Sequence, residues 1–295
     1  YEIVARFPDV HSVAEVLAVR FRNVPSPNIA FPDWKALVLL CDQLIGEQTD
    51  LAGIVIGHGT ATLEETAYFL NLTAKVPIPV VLVGAQRPAS ALSTDAGLNL
   101  VNAIRVAASP DARGMGVLVV LNDEIHAARE VTKSATMRLQ TFRTPDFGVL
   151  GHADGDAVAF YRRPLRRHAP NTQFDIRMLN TLPRVDIAYA YSGADGAAVR
   201  AFIAAGAHGI VSAGFAPGFA PPGEFEALKE AARNGVVIVQ STRAGSGRTF
   251  RSTRLRQAGF LIADNLSPQK ARILLSLALT ETPDQDKIAH MFQTY

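Results

Sequence analysis

The sequence predicts an α/β protein with a larger N-terminal domain, built on a doubly wound, mostly parallel sheet, and a smaller C-terminal α/β domain. Runs rich in Val, Ile and Leu alternate with amphipathic runs along the chain, which is typical of parallel α/β folds. The strand-like runs are continuously apolar rather than alternating, which indicates sheets covered on both faces. The alternation stops in a polar, basic stretch near residue 163 and then restarts, which predicts two units.

The first unit is predicted to open with a strand over Ala18–Asn23 and a helix over 33–44, with Pro32 and Asp33 as its start signal. The alternation that follows consists of a strand at 53–57, a helix at 62–71, a strand at 78–84, a helix at 96–108 and a strand at 115–121. Between Phe142 and Tyr161 the pattern changes to short extended pieces around Asp154-Gly155, which favours a hairpin turn. We therefore assign residues 1–162 to the N-terminal domain.

Residues 163–182 are predicted to form a linker, because this stretch begins with a polar, basic run that contains prolines. The C-terminal domain then occupies residues 183–295. Its predicted elements are strands at 185–191, 209–213 and 236–240 and helices at 194–205, 223–233 and 267–280. This smaller unit repeats the parallel α/β pattern.

Composition excludes several classes of protein. The chain carries 29 Lys and Arg against 27 Asp and Glu, a net charge of +2, so we expect neither a nucleic-acid partner nor a disordered tail. The longest uncharged stretch begins at Ala201 and is interrupted by glycines and prolines, so no membrane span is expected. The single cysteine, Cys41, lies in an apolar run and is interpreted as a buried thiol without chemistry.

Loops at the carboxyl ends of parallel strands converge on ligand sites. The first such loop, Gly57-His-Gly-Thr-Ala-Thr, allows close backbone approach to a ligand, although a helix N-cap alone would also explain it. His58 in this tight turn is interpreted as a structural residue. The loop at Gln86-Arg87-Pro88 and Ser93-Thr94-Asp95 could be hydrogen-bond scaffolding or a ligand contact.

The next candidate loop carries Asn122-Asp123-Glu124 and, further on, Lys133. This lysine could be a buried ion-pair partner or, with its pKa lowered by burial, a base for a nearby hydroxyl. Nucleotide binding is not favoured, because neither G-x-G-x-x-G nor G-x-x-x-x-G-K-[ST] follows a strand.

These segments together resemble the bacterial L-asparaginase family. The resemblance runs from about Ser26 to the carboxyl terminus. It is carried by Gly57-His-Gly-Thr-Ala-Thr-Leu-Glu-Glu-Thr-Ala-Tyr-Phe-Leu, Val83-Gly-Ala-Gln-Arg-Pro, Gly116-Val-Leu-Val-Val-Leu-Asn-Asp, Ala128-Arg-Glu-Val-Thr-Lys, Ile210-Val-Ser-Ala-Gly and Leu266-Ser-Pro-Gln-Lys-Ala-Arg.

The resemblance implies an amidohydrolase that needs no cofactor and no metal. It implies that Thr60 and Lys133 are catalytic, and that Ser26, Gly59 and Ala61 contact the substrate. The side chains of Thr60 and Lys133 are then expected to lie within hydrogen-bond reach, or one water apart, at the carboxyl edge of the same parallel sheet. Thr60 would either attack the amide or activate the carbonyl or a water. A small-molecule amide such as L-asparagine is the implied substrate, and a homotetramer made of two intimate dimers is the implied assembly. The compartment stays open, with the cytoplasm favoured over the periplasm.

The sequence also departs from the family's pattern. The family's opening strand, which carries Gly-Gly-Thr-Ile and a first catalytic threonine, and a loop with a catalytic tyrosine have no counterpart here. The chain begins with Tyr1 rather than Met, and we expect missing residues rather than a natural loss.

Further departures concern the groups around the substrate's ammonium. Ala61 replaces an Asp, Gly57 replaces a Thr and Pro27 replaces a Gln, while residues 215–222 and 248–256 lack the family's Asn and Glu. Two alternatives therefore stay open: an amidase whose substrate lacks a free α-ammonium, and a catalytically impaired paralogue that binds a small metabolite. If an arginine of residues 248–256 faced the site, a more acidic amide would be favoured.

Overall fold

A computed structural model describes residues 2–295 and divides the chain into two compact units, the second of which is Leu179–Tyr295. The α/β architecture is confirmed, with the larger unit first. The division falls after Met178, inside the stretch predicted as a linker, which contains no helix or strand over residues 163–182. The bounds 1–162, 163–182 and 183–295 themselves stay a prediction.

The first unit contains most of the strands. Its helices are α1 (Glu2–Arg6), α2 (Phe31–Glu47), α3 (Leu63–Thr73) and α4 (Ala96–Ala108). Its strands are β1 (Ile54–Gly57), β2 (Val80–Val83), β3 (Val117–Leu121), β4 (Glu124–Ala127), β5 (Thr132–Lys133), β6 (Phe142–Arg143), β7 (Gly151–Ala153) and β8 (Val158–Phe160).

The six-stranded sheet of this unit has the order β1-β2-β3-β4-β7-β8. The first three strands run parallel, and β4, β7 and β8 extend the sheet in antiparallel fashion. The hairpin predicted around Asp154-Gly155 is confirmed, since it joins β7 to β8. Strands β5 and β6 form a separate antiparallel pair.

The core of the first unit lies on both faces of β2 and β3, where every residue is buried. Val81, Val83 and Leu118 pack with Leu100 and Ile104 of α4 in one cluster. Alternation along the strands turns their other residues to the opposite face, where α3 contacts β2 and β3. Continuous apolar strands therefore mark a sheet with helices on both sides, as the sequence predicted.

The predicted strand over Ala18–Asn23 is wrong. This segment forms no ladder, and among residues 2–295 no strand pairs with the outer edge of β1. A cavity of about 660 Å³ lies between residues 14–23, β1, α2 and α4. Residues 18–23 line this cavity but make no ladder with β1, which shows that β-favouring composition alone does not make a strand.

The second unit carries a four-stranded, fully parallel sheet in the order β12-β11-β10-β9. Its strands are β9 (Val185–Tyr189), β10 (Gly209–Gly214), β11 (Val237–Thr242) and β12 (Leu261–Ile262). Its helices are α5 (Ala197–Ala204), α6 (Pro222–Arg233), α7 (Thr253–Gln257), α8 (Pro268–Glu281) and α9 (Gln285–Thr294). Ile210 and Ile238 pack with Phe225 and Leu228 of α6 in its core.

Candidate active site

Glycines allow the loop after β1 to pack closely against neighbouring residues. A side-chain carbon on Gly59 would lie 2.7 Å from Ser26 Oγ, and one on Gly84 would lie 3.1 Å from Thr60 Cγ2. Thr62 Oγ1 donates to the Ser26 carbonyl at 2.8 Å and ties this loop to the segment before α2. The structure thus brings together Ser26 and the loop that carries Gly59, Thr60 and Ala61.

Lys133 reaches Thr60 from a different element. Its Nζ donates to Thr60 Oγ1 at 2.7 Å, so the predicted contact between these side chains is confirmed. Thr60 follows a parallel strand, as predicted. Lys133 itself belongs to β5, in the separate antiparallel pair with β6, and not to a strand of that sheet.

Opposing effects act on the Lys133 ammonium. Burial lowers the pKa of Lys133, because the charged form loses hydration, while the nearby Glu64 carboxylate raises it; the net direction is downward. Glu64 lies buried in the first turn of α3, and its Oε1 accepts the backbone N–H of Lys133 at 3.4 Å. A lysine with a lowered pKa releases its proton more readily, as a general base requires.

Gln86 completes the group; the sequence analysis named its loop as scaffolding or a ligand contact but did not assign Gln86 to the catalytic group. Its Oε1 accepts from Thr60 Oγ1 at 3.2 Å and from Lys133 Nζ at 3.3 Å. Gln86 follows β2, the parallel neighbour of β1. The rule that adjacent parallel strands end at a common ligand edge was the signal that could have identified it.

Asp95 holds the loop that carries Gln86. Its two carboxylate oxygens accept the backbone N–H groups of Gln86 and Arg87, both at 2.9 Å. Asn99 donates to Asp95 Oδ2 and to the Gly84 carbonyl, both at 3.0 Å. The loop predicted as scaffolding or ligand contact is therefore scaffolding at Asp95, while Gln86 points toward Thr60 and Lys133.

His58 has structural hydrogen bonds at both ring nitrogens, in agreement with its interpretation as a structural residue. Trp34 Nε1 donates to Thr66 Oγ1 at 2.8 Å, and the Thr66 hydroxyl lies 2.9 Å from His58 Nε2, to which it donates when the ring is neutral. His58 Nδ1 then donates to the Gly59 carbonyl at 2.7 Å. This assignment requires a neutral ring, and burial indeed lowers the pKa of His58.

The remaining candidates lie outside this group. Asn122 and Asp123 form the positive-φ turn between β3 and β4, and Asp123 accepts from Asn102 at 2.8 Å. Burial, reinforced by Asp42, raises the pKa of the Cys41 thiol to about 12, so it stays protonated. Within residues 2–295 there is no cluster of three or more His, Cys, Asp and Glu suited to a metal ion.

The arrangement supports covalent acyl transfer. A hydroxyl beside a lysine of lowered pKa is an activated nucleophile. The surrounding backbone of Gly59, Thr60 and Ala61 lies outside any helix or strand, and such N–H groups can stabilise an oxyanion.

Comparison with known families covers nearly the whole chain. Residues 1–166 match the family described as "Asparaginase, N-terminal". Residues 184–292 match the "Glutaminase/Asparaginase C-terminal domain". The described helices include none that is both long enough and apolar enough to cross a membrane.

Individual relatives agree with the family matches. "Probable L-asparaginase periplasmic" from Haemophilus influenzae is 41% identical, over 99% of this chain and 84% of that protein. "L-asparaginase 2" from Escherichia coli is 40% identical, over 99% of this chain and 84% of that protein. The solved "Probable Cytoplasmic L-asparaginase" from Campylobacter jejuni superposes with a TM-score of 0.96 at 40% identity, covering 100% of this chain and 93% of that one.

Proposed function

The chain belongs to the bacterial L-asparaginase family and is an asparaginase-like amidohydrolase, and from this premise we propose that it converts L-asparagine to L-aspartate and ammonia through Thr60 and Lys133. The observation that carries the proposal is the 2.7 Å contact between Lys133 Nζ and Thr60 Oγ1.

In the proposed reaction, neutral Lys133 accepts the hydroxyl proton while Thr60 Oγ1 attacks the side-chain amide carbon. The carbon–nitrogen bond then breaks, and ammonia leaves with a proton returned by Lys133. Water hydrolyses the resulting ester, which releases aspartate and restores the hydroxyl. The same pair could instead activate the carbonyl or a water, an alternative that trapping of an acyl-enzyme would distinguish.

We assign substrate contacts to Ser26, Gly59 and Ala61. Ser26 is buried, and its hydroxyl packs against Gly59 beside the Thr60 loop. Ala61 is exposed next to Thr60, so its methyl group shapes the opening without adding charge. These positions leave the backbone N–H groups of the loop to polarise the amide carbonyl.

Free asparagine is favoured over a more acidic amide. The alternative rested on an arginine of residues 248–256 facing the site. Arg248 instead pairs with Asp264 at 2.5 Å, and the Arg254 guanidinium lies 3.7 Å from the centre of the Phe225 ring. Both guanidinium groups have partners within the second unit, which supports the interpretation of this stretch as a surface.

We also propose the homotetramer of two intimate dimers. Supporting it are large aromatic side chains that are more than half exposed in the second unit, namely Tyr189, Tyr191 and Phe250. Aromatic residues are enriched in protein interfaces. For the compartment we propose the cytoplasm, after the name of the Campylobacter jejuni relative; the Haemophilus influenzae relative is named periplasmic, and cell fractionation distinguishes the two.

Ammonia release from L-asparagine tests the proposed function. Thr60→Ala and Lys133→Met should each reduce the rate at least ~10²-fold, as expected for a nucleophile and its base. Thr49→Ala and Lys287→Met, the same changes at exposed positions, should leave the rate unchanged. Full activity in both Thr60→Ala and Lys133→Met would contradict the assignment.

A further inference from the structure

The Gln86 side chain bridges the two proposed catalytic groups. One oxygen, Oε1, accepts from both the Thr60 hydroxyl and the Lys133 ammonium, at 3.2 and 3.3 Å. Lys133 Nζ in turn donates to Thr60 Oγ1. The three polar groups therefore form a closed triangle in which the hydroxyl proton of Thr60 points at the glutamine and away from the lysine.

The orientation of the Gln86 amide is determined by its other end. Nε2 donates to the Arg138 carbonyl at 3.1 Å. A flipped amide would turn its NH₂ group toward the Lys133 ammonium, where two donors would face each other. The carbonyl end of the amide consequently faces Thr60 and Lys133.

The backbone of Gln86 is also held in place, by the Asp95 carboxylate that accepts the N–H groups of Gln86 and Arg87. A side chain with both its backbone and its amide anchored keeps its position when substrate arrives, which is what preorganisation requires.

We propose that Gln86 is a positioning residue that, in the resting enzyme, holds the Thr60 hydroxyl proton and keeps Lys133 protonated. This inference rests on the proposed function, because it assigns Gln86 a role through Thr60 and Lys133. Once Lys133 has released its ammonium proton to solvent, an amide substrate that competes for these hydrogen bonds would free the Thr60 proton for transfer to the neutral amine.

The pKa of Lys133 depends on its charged neighbour, on burial and on Gln86. The Glu64 carboxylate, from α3, favours the ammonium, and burial opposes it. The acceptor oxygen of Gln86, on the loop after β2, adds a second interaction, which is stronger with the charged ammonium than with the neutral amine. Replacing that oxygen with an apolar group should lower the pKa of Lys133, and replacing the amide with a carboxylate should raise it.

The test is the pH dependence of kcat/KM for ammonia release in Gln86→Met and Gln86→Glu. Activity requires neutral Lys133, so the rate rises with pH through its pKa. The acid limb of this profile, the part in which kcat/KM rises with pH, should move to lower pH in Gln86→Met and to higher pH in Gln86→Glu, each by about half a pH unit or more. The maximal rate of Gln86→Met should fall roughly five- to tenfold, the loss of one orienting hydrogen bond.

Gln43→Met is the matched control, because Gln43 is exposed on α2 and bonds only to Glu47 among the hydrogen bonds described for its side chain; its pH profile should be that of the parent. Gln86→Asn, which keeps the amide but shortens its reach, should behave like Gln86→Met and serves if the methionine variant does not fold.

Acid limbs that stay in place, or that move in the same direction in Gln86→Met and Gln86→Glu, would overturn the inference. If Thr60→Ala and Lys133→Met are inactive while the Gln86 limbs do not move, only the role of Gln86 fails. If Thr60→Ala and Lys133→Met remain active, the proposed function fails with it.

Discussion

Lys133 Nζ lies 2.7 Å from Thr60 Oγ1, although 73 positions of the chain separate the two residues. Thr60 follows β1 in the six-stranded sheet, and Lys133 belongs to the two-stranded β5–β6 sheet. The contact therefore depends on how two sheets of the first unit pack.

Lys133→Arg should lose activity by at least ~10²-fold, although it preserves the positive charge. A guanidinium stays protonated at any working pH and cannot accept the Thr60 proton. The measurement is kcat/KM for ammonia release, with Thr60→Ser as the companion variant that keeps a hydroxyl and should retain activity. An active Lys133→Arg enzyme would reduce Lys133 to an electrostatic role.

Glu64→Gln should move the acid limb of kcat/KM to lower pH. The Glu64 carboxylate raises the pKa of Lys133 against the effect of burial, so its removal lets that pKa fall further. Because the neutral amine is the active form, activity then persists to lower pH. Glu47→Gln, at an exposed position, should leave the profile unchanged; a limb that moves upward in Glu64→Gln would contradict this electrostatic account.

Gly59→Ala should destabilise the fold by about 1–3 kcal/mol, the usual cost of overpacking. The new methyl carbon would lie 2.7 Å from Ser26 Oγ and 2.9 Å from Ser26 Cβ. The double variant Ser26→Gly, Gly59→Ala should recover most of the loss, because it removes both clashing atoms. Thermal unfolding midpoints of the two single variants and the double variant give the coupling energy between positions 26 and 59. Purely additive losses of stability would show that the contact with Ser26 is not the cause of the destabilisation.

Sedimentation velocity at micromolar concentration should reveal a closed oligomer rather than a monomer. The exposed aromatic side chains Tyr189, Tyr191 and Phe250 are expected to be covered in a two-fold interface. Replacing Tyr191 with Asp should weaken assembly, and the same change at the exposed Thr49 serves as control. A monomeric parent protein would refute the homotetramer.

Ammonia release measured side by side from asparagine, glutamine, succinamate and an N-acyl asparagine should favour free asparagine. The reason is that the guanidinium groups of Arg248 and Arg254 are engaged by Asp264 and Phe225, so neither is held ready for an extra carboxylate in the substrate. Preference for succinamate or the N-acyl compound would instead support the sequence-based alternative of a substrate without an α-ammonium.

Local patterns were sufficient for much of the fold. The helix predicted over 96–108 coincides with α4, and the other predicted helices that follow residue 30 agree with the structure within about three residues at each end. The strand predicted over Ala18–Asn23 failed because a strand needs a partner edge as well as β-favouring residues. The short helices α1 and α7 had too few residues for a period to be recognised.

For the candidate site, the sequence by itself determined the Gly-rich loop with Thr60 and its position after a buried strand. It also determined the family of the chain, through segments that include Lys133. Such features depend on residues close together in the chain. Only the tertiary structure decided that Lys133 donates to Thr60, that Glu64 acts on Lys133, and that Gln86 faces both proposed catalytic groups. Those contacts depend on strand order and on the packing of separate sheets, because hydrogen bonds form only within about 3.5 Å and sequence spacing does not set that distance.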